Sequence, residues 1–127
     1  MRAVFPKRRT ALFFYALFRE FSPGKEDSMY SEMIEAYLAS FCYGREGITS
    51  SQIIEQQLGI DGIDLRVSIN QLRRRGVPIA SESKGYFYAA SHQDLEPTLR
   101  HLRHRRAAID AAIEGLEKAQ RELLELP

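Results

Sequence analysis

The stretch from Leu65 to Ala89, LRVSINQLRRRGVPIASESKGYFYA, decides the fold, because its hydrophobic period changes partway along. Three apolar residues spaced four and three apart fall on one stripe of a helix: Leu65, Ile69 and Leu72. Gly76 is suited to stop that helix, and beyond it apolar residues alternate on both sides of the turn residues Lys84 and Gly85. The stretch therefore predicts a helix followed by a β-hairpin.

The remaining faces of the predicted helix carry side chains that are typical of duplex DNA recognition. At 100° per residue, Val67, Asn70, Gln71 and Arg74 lie nearly opposite the apolar stripe, with Arg66 and Arg73 on one flank. Asn and Gln suit adenine, Arg suits guanine or phosphate, and Val suits a thymine methyl group. The predicted DNA-binding residues are Arg66, Val67, Asn70, Gln71, Arg73, Arg74 and, at the hairpin tip, Lys84.

An explanation without DNA also exists for part of this pattern. Arginines in the last turn of any helix interact favourably with its C-terminal dipole, so residues 73–75 alone indicate little. The aromatic run 86–88 is better explained by packing of the hairpin on the core than by stacking on bases. It is the combination of the helix surface with the order of the elements around it that favours DNA contact.

The chain has a formal net charge of only +1, but its charges are strongly segregated. Residues 1–9 carry four basic and no acidic side chains, and residues 65–106 carry nine basic and three acidic ones. Residues 10–64 carry three basic and nine acidic side chains, and residues 107–127 carry two and five. A local basic surface of this kind attracts phosphates, although charge runs are also ordinary solvated faces.

The residues before the decisive stretch predict two further helices. A broad apolar face after a candidate N-cap at Asp27 or Ser28 predicts a helix through about Phe41. Gly47-Ile48 is long enough only for a bridging strand. The tetrapeptide TSSQ at 49–52 has the form of a capping box and predicts a short helix after it.

A turn at 59–62 then leads into the basic helix, which we expect to start near 61–63 and to run to Arg75. The predicted order is helix, short strand, helix, turn, helix, hairpin, which is the order of a winged helix-turn-helix. The fold class that follows is α+β and mostly helical, with an N-terminal aromatic helix and a long C-terminal heptad helix.

The N-terminal segment Lys7 to Phe21 predicts a helix that is apolar over almost its whole circumference and ends at Ser22-Pro23-Gly24. Such a helix must be covered, either by its own domain or by a partner. The residues expected to contact a protein partner in the second case are Phe13, Phe14, Leu17 and Phe18. The apolar run in this segment is too short to span a bilayer.

The C-terminal region predicts a helix of about four heptads. Asp94 is a candidate cap, and Pro97 is expected in the tolerant first turn. Apolar residues recur at alternating steps of four and three. Arg106 and Gln120 are polar residues at two of these positions, but the spacing continues through them unchanged. The predicted dimerisation residues are Leu95, Leu99, Leu102, Ile109, Ile113, Leu116 and Leu123. Parallel pairing, antiparallel pairing and a helix folded back near Gly115 all remain open.

Residues of about 30–90 resemble the winged helix-turn-helix of biotin repressor-type proteins and of many small bacterial and phage regulators. The pattern that carries the likeness is Leu65-x-x-x-Ile69-x-x-Leu72-Arg73-x-x-Gly76-x-x-Ile79, followed by Lys84-Gly85-Tyr86. The resemblance implies that Arg66, Val67, Asn70 and Gln71 face the DNA groove. Upstream, Asp61 and Asp64 depart from the family pattern of Ser or Thr and a basic residue.

The sequence indicates no catalytic chemistry and no cofactor. His101 and His104 have a His-x-x-His spacing, but no second cysteine or carboxylate cluster completes a metal set. Cys42 is the only cysteine, so no intrachain disulfide can form, and we expect it reduced in the core. Phosphate-binding loops and nucleophile elbows are missing from the sequence. We therefore expect a protein that is not an enzyme.

These observations predict a sequence-specific duplex DNA-binding protein, a dimeric transcriptional regulator of bacterial or phage type, in the cytoplasm and associated with the nucleoid. The alternative is a non-catalytic adaptor that binds polymerase or replication proteins through the winged fold and the N-terminal helix. The expected organisation is an N-terminal helical extension at 1–24, the winged domain at 25–92 and a dimerisation helix at 93–127. No membrane association is expected.

Overall fold

The computed structural model describes residues 29–127. Its α-helices are α1 (Met29–Phe41), α2 (Ser51–Leu58), α3 (Gly62–Arg74) and α4 (His92–Leu124). A 3-10 helix at Arg45–Gly47 lies between α1 and α2, and the strands β1 (Ile79–Glu82) and β2 (Gly85–Tyr88) lie between α3 and α4. The fold is α+β with the arrangement of a winged helix and a long C-terminal helix. The predicted N-terminal aromatic helix, with Phe13, Phe14, Leu17 and Phe18, lies outside the described residues.

The predicted apolar stripe of α3 is the centre of the core. Leu65 and Leu72 are fully buried and Ile69 is 2% exposed. They pack in one cluster with apolar residues of α1, α2 and β1, namely Met33, Ile34, Tyr37, Leu38, Ile54, Leu58 and Ile79. Burial of this stripe fixes which face of α3 is turned outward, because a helix side chain opposite a buried one must face solvent.

The end of α3 confirms the predicted stop at Gly76. The backbone amide of Gly76 donates to the Arg73 carbonyl at 3.0 Å, and the amide of Val77 donates to the Leu72 carbonyl at 3.0 Å. This pair of bonds is a Schellman motif, which needs a residue at positive φ, and Gly76 has a φ of 90°. The chain leaves the helix here and enters β1.

The hairpin β1–β2 is antiparallel, with Ile79 paired with Tyr88 and Glu82 paired with Gly85. Phe87 is fully buried, and Tyr86 and Tyr88 pack partly against the core, as the packing explanation predicts. The turn is therefore formed by Ser83 and Lys84.

The bridge to the hairpin differs from the one predicted. Gly47 belongs to the 3-10 helix, and the bridge to β2 is made two residues later by Thr49, whose amide donates to the Tyr86 carbonyl at 3.0 Å. A second bridge joins Tyr43 to Tyr88. The residues on both sides of the 3-10 helix therefore hydrogen-bond to β2. The predicted two-residue strand at 47–48 accounts for neither bridge.

Helix α2 begins one residue later than the predicted capping box. Ser50 is the N-cap, and its hydroxyl accepts from the Ile53 amide at 3.3 Å. The Thr49 hydroxyl donates instead to the Gly47 carbonyl at 2.9 Å, and its oxygen accepts a hydrogen bond from the thiol of the buried Cys42. Thr49 is thus committed to the bridge, so the cap moves to the next hydroxyl in the chain.

Helix α4 begins two residues before the predicted cap. The Asp94 carboxylate accepts from the backbone amides of Ala90 at 2.9 Å and Ser91 at 3.3 Å, so it caps from inside the first turn. Pro97 is consequently the sixth helical residue and lies beyond the first turn. The helix runs unbroken through Gly115 to Leu124, which corrects the fold-back alternative.

The described residues divide into two compact units, residues 29–95 and Glu96–Pro127. In the second unit every residue from Leu99 onward is exposed. That exposure includes six of the seven predicted dimerisation residues: Leu99, Leu102, Ile109, Ile113, Leu116 and Leu123. The seventh, Leu95, is half-buried and belongs to the first unit.

Candidate nucleic-acid interface

The outward face of α3 forms a continuous row that we call the α3 row, made of Ile63, Arg66, Val67, Asn70 and Arg74. All five side chains are exposed. They are three or four residues apart, which places them along one side of the helix. The row combines two cationic forks, one amide and two apolar groups, the kinds of side chain that can contact base edges, phosphates and thymine methyls.

Gln71 occupies a different position from the rest of its predicted group. It is half-buried, and its Oε1 accepts a hydrogen bond from the Ser31 hydroxyl at 3.0 Å. Ser31 is itself fully buried in α1. A glutamine that reads adenine uses its amide oxygen and nitrogen together, and here the oxygen is already bound within the protein.

Arg73 also has partners inside the protein. Its Nε donates to the Ile79 carbonyl at 3.0 Å, and its Nη2 donates to the Ser81 hydroxyl at 3.0 Å. Burial lowers the pKa of the Arg73 guanidinium, while the nearby Tyr86 acts in the opposite direction. Two donors of one rigid fork thus fasten the end of α3 to β1. Its neighbour Arg74 is exposed.

The hairpin tip adds a further cation beside the start of α2. Lys84 is exposed in the two-residue turn. Behind it lies a cleft of about 370 Å³, lined by polar side chains of α2, the turn and β1: Ser50, Ser51, Gln52, Ser81, Glu82, Ser83 and Lys84. Hydroxyl groups and a lysine are common phosphate contacts in protein–DNA complexes.

Gly85 brings the tip close to the chain before α2. It has a φ of 138°, and a Cβ placed there would lie 2.0 Å from the Thr49 carbonyl oxygen. Arg45 forms an ion pair with Glu82 of β1, and its guanidinium lies 5.5 Å from the centre of the Phe87 ring. These contacts hold the hairpin in a fixed position relative to the first residues of α2.

Two carboxylates lie at the beginning of α3. Asp61 is the N-cap, and its Oδ1 accepts from the Asp64 amide at 2.8 Å. Both side chains are exposed. A carboxylate at a helix N-terminus stabilises the helix, but it repels a phosphate approaching the same end. The approach to α3 from its N-terminus is therefore electrostatically unfavourable for DNA.

Sequence reasoning missed two parts of this surface. The sequence pattern marks Ile63 only as part of the helix start, yet it is 64% exposed and extends the α3 row toward the N-terminus. The serines of the cleft are far apart in sequence, at 50–51 and 81–83. The four-residue step from Ile63 to Val67 was a usable signal for the first, whereas the second depends on tertiary contacts.

Among residues 29–127, no group of three or more His, Cys, Asp or Glu side chains is placed to hold a metal ion. Within the same residues, the helices are all too short or too polar to cross a membrane.

Comparison with known proteins adds no relative. No protein-family model matches the chain, and no curated protein or solved structure matches it significantly.

Proposed function

We propose that this chain binds duplex DNA, with the α3 row in the major groove and Lys84 on the adjacent backbone, as a sequence-specific regulator that acts as a dimer. The observation that carries the proposal is the exposure of Arg66, Asn70 and Arg74 along one side of α3 while the opposite side is completely buried. A helix anchored in this way can present its outer side chains to a groove without rearrangement.

The roles within the row differ. Asn70, near the middle, is suited to bidentate contact with adenine, and Arg74 to contact with guanine. Val67 can meet a thymine methyl, and Arg66 and Lys84 suit phosphates. Gln71 and Arg73, which bond within the protein, support the position of α3 in this proposal and do not contact bases.

The dimeric regulator is supported by two lines of reasoning. One small module rarely makes enough contacts for specific affinity, so regulators of this size usually bind paired half-sites. The second unit also exposes a heptad stripe that is suited to pairing. Regulation itself is supported by the resemblance of residues of about 30–90 to small bacterial and phage regulators.

The test is selection from random duplexes, followed by fluorescence anisotropy on the selected sequence. Asn70→Ala with Arg74→Ala should weaken binding to the selected duplex by at least about tenfold more than binding to a scrambled duplex. Arg121→Ala is the matched control for loss of an exposed arginine, since Arg121 belongs to α4 and is not part of the α3 row. An unchanged preference in the double variant contradicts base readout by this face.

A second candidate function is protein binding as an adaptor of polymerase or replication proteins. It is favoured by Ile63 and Val67, which are 64% and 51% exposed and lie one turn apart on α3. Salt separates the two candidates. DNA binding through several phosphates weakens steeply with rising salt, whereas an apolar docking surface does not.

A further inference from the structure

The exposed heptad stripe of α4 carries information about the orientation of its partner. Counting heptads from Leu99 as position a places Leu102 at d and continues to Leu123 at d without a phase break. The stripe consists of Leu99, Leu102, Arg106, Ile109, Ile113, Leu116, Gln120 and Leu123, all exposed. It extends over about 36 Å of helix at 1.5 Å per residue.

The charges along this unit are divided between its two halves. Residues 96–106 carry four arginines and one glutamate, whereas residues 107–127 carry two basic and five acidic side chains. In a parallel pair each half faces its own copy, so like charges oppose each other along most of the helix, and the exception is Arg105 beside Asp110 of the second copy, at g and e positions. In an antiparallel pair the basic half of one helix lies along the acidic half of the other, and the charges are complementary.

The two polar positions of the stripe point to the same orientation. A parallel pair in register places Arg106 against Arg106 and Gln120 against Gln120 within the seam. An antiparallel pair centred on Ala111 instead joins a and d positions as Leu99 with Leu123, Leu102 with Gln120, Arg106 with Leu116 and Ile109 with Ile113. Each polar side chain then packs against a leucine, along which the Arg106 stem can lie while its guanidinium reaches solvent.

This register has one electrostatic cost and one compensating gain. It brings Asp110 of the two copies next to each other at the centre. It also places Arg103 beside Glu117 of the second copy, and this pair occurs twice. Together with the opposed half-helix charges, attraction outweighs the single repulsive contact.

We infer that α4 pairs with α4 of a second copy of this chain in antiparallel orientation, centred on Ala111. The N-terminal ends of the two helices then lie at opposite ends of the pair. This inference concerns the second unit alone and does not depend on DNA binding by α3.

Cysteine cross-linking tests the orientation directly. In a Cys42→Ala background, which removes the only native cysteine, Leu99→Cys and Leu123→Cys are made as separate proteins with tags of different mass. We expect a cross-linked heterodimer when the two are mixed under oxidising conditions, and little cross-linking of either alone. Self-cross-linking of Leu123→Cys as the main product indicates a parallel pair and overturns the proposal.

Sedimentation without DNA tests the pairing itself and the sign of its salt dependence. We expect a dimer whose Kd rises by about fivefold as salt screens the complementary charges between 0.05 and 0.5 M. A parallel pair with like charges opposed should tighten instead. A monomer at about 100 µM, a concentration ten times the Kd of a modest dimer, also overturns the proposal, as does a tetramer.

A pair of substitutions locates the interface. Ile113→Lys should convert the dimer to a monomer because it places two charges in the central layers. Ala111→Lys, on the opposite side of the helix, should leave the dimer intact. Circular dichroism, read from the tertiary signal of the first unit, checks that both variants fold. If the two variants have the same oligomeric state, the assigned interface is contradicted.

Discussion

Two neighbouring arginines at the end of α3 should have separable effects, one on stability and one on binding. Arg73 donates two hydrogen bonds to β1, to the Ile79 carbonyl and the Ser81 hydroxyl, each at 3.0 Å. Arg74 is exposed to solvent. Arg73→Ala removes both bonds and the tie between helix and strand, whereas Arg74→Ala removes only a surface charge.

The magnitude follows from the two bonds. A hydrogen bond to a charged group contributes about 1.5–3 kcal/mol, and partial solvent exposure of Arg73 reduces the sum, so we expect a loss of about 2–3 kcal/mol in the free energy of unfolding. Arg74→Ala should change it by less than about 0.5 kcal/mol. For DNA affinity we expect the reverse order. Arg74 belongs to the α3 row, so Arg74→Ala should lower the affinity more than Arg73→Ala does in a sample that is still folded.

The assay is urea denaturation followed by circular dichroism. All variants are measured at one protein concentration, because the stability of the proposed dimer would depend on concentration. Arg73→Lys is an informative companion. A lysine retains the charge but cannot reproduce the two-donor fork, so it should recover less than half of the lost stability. If Arg73→Ala and Arg74→Ala have equal unfolding free energies, the structural role of Arg73 is refuted.

Three further predictions address the hairpin, the acidic start of α3 and the core. Gly85→Ala should lower the free energy of unfolding by more than about 3 kcal/mol in the same urea assay, since the added Cβ would lie 2.0 Å from a backbone oxygen. The control is Gly115→Ala, whose added Cβ would have nothing within 4 Å and which should be neutral or slightly stabilising. Asp64→Asn should tighten DNA binding about two- to fivefold in anisotropy at low salt, and a gain that persists at high salt would exclude charge repulsion as its cause. Burial raises the pKa of Tyr37 to about 12, above its ordinary value near 10. The contribution of Tyr37 to the free energy of unfolding is therefore fully present below pH 10 and is lost as the pH rises through 12. In alkaline urea titrations Tyr37→Phe should remove part of this loss, and substitution of an exposed tyrosine, Tyr30→Phe, should not.

The α3 segment shows why part of the fold follows from local sequence. The four- and three-residue steps of its apolar stripe identify the buried face, because helical geometry relates spacing to direction. Gly76 ends the helix because the positive φ there suits glycine. The alternating pattern around Lys84 likewise predicts the hairpin, with the aromatic run on the core. None of these inferences requires knowledge of a distant residue.

The capping of α2 and α4 shows where local patterns become ambiguous. Thr49, Ser50 and Ser51 all have hydroxyl groups suited to cap α2, and only the bridge between Thr49 and β2 makes Ser50 the cap. Similarly, Asp94 caps α4 from within the helix rather than before it. A motif defines a set of acceptable starts, and packing selects one of them.

What the sequence by itself determined, then, is which side of α3 is buried, where that helix ends and that a hairpin follows. Only the tertiary structure decided which of its polar side chains remain available for a partner. Gln71 bonds to Ser31, 40 residues earlier, and Arg73 bonds to β1, while Asn70 and Arg74 remain exposed. The physical reason is that helical periodicity gives a direction for each side chain, whereas a hydrogen bond also requires a partner within about 3 Å, and that distance is set by packing of elements remote in the chain.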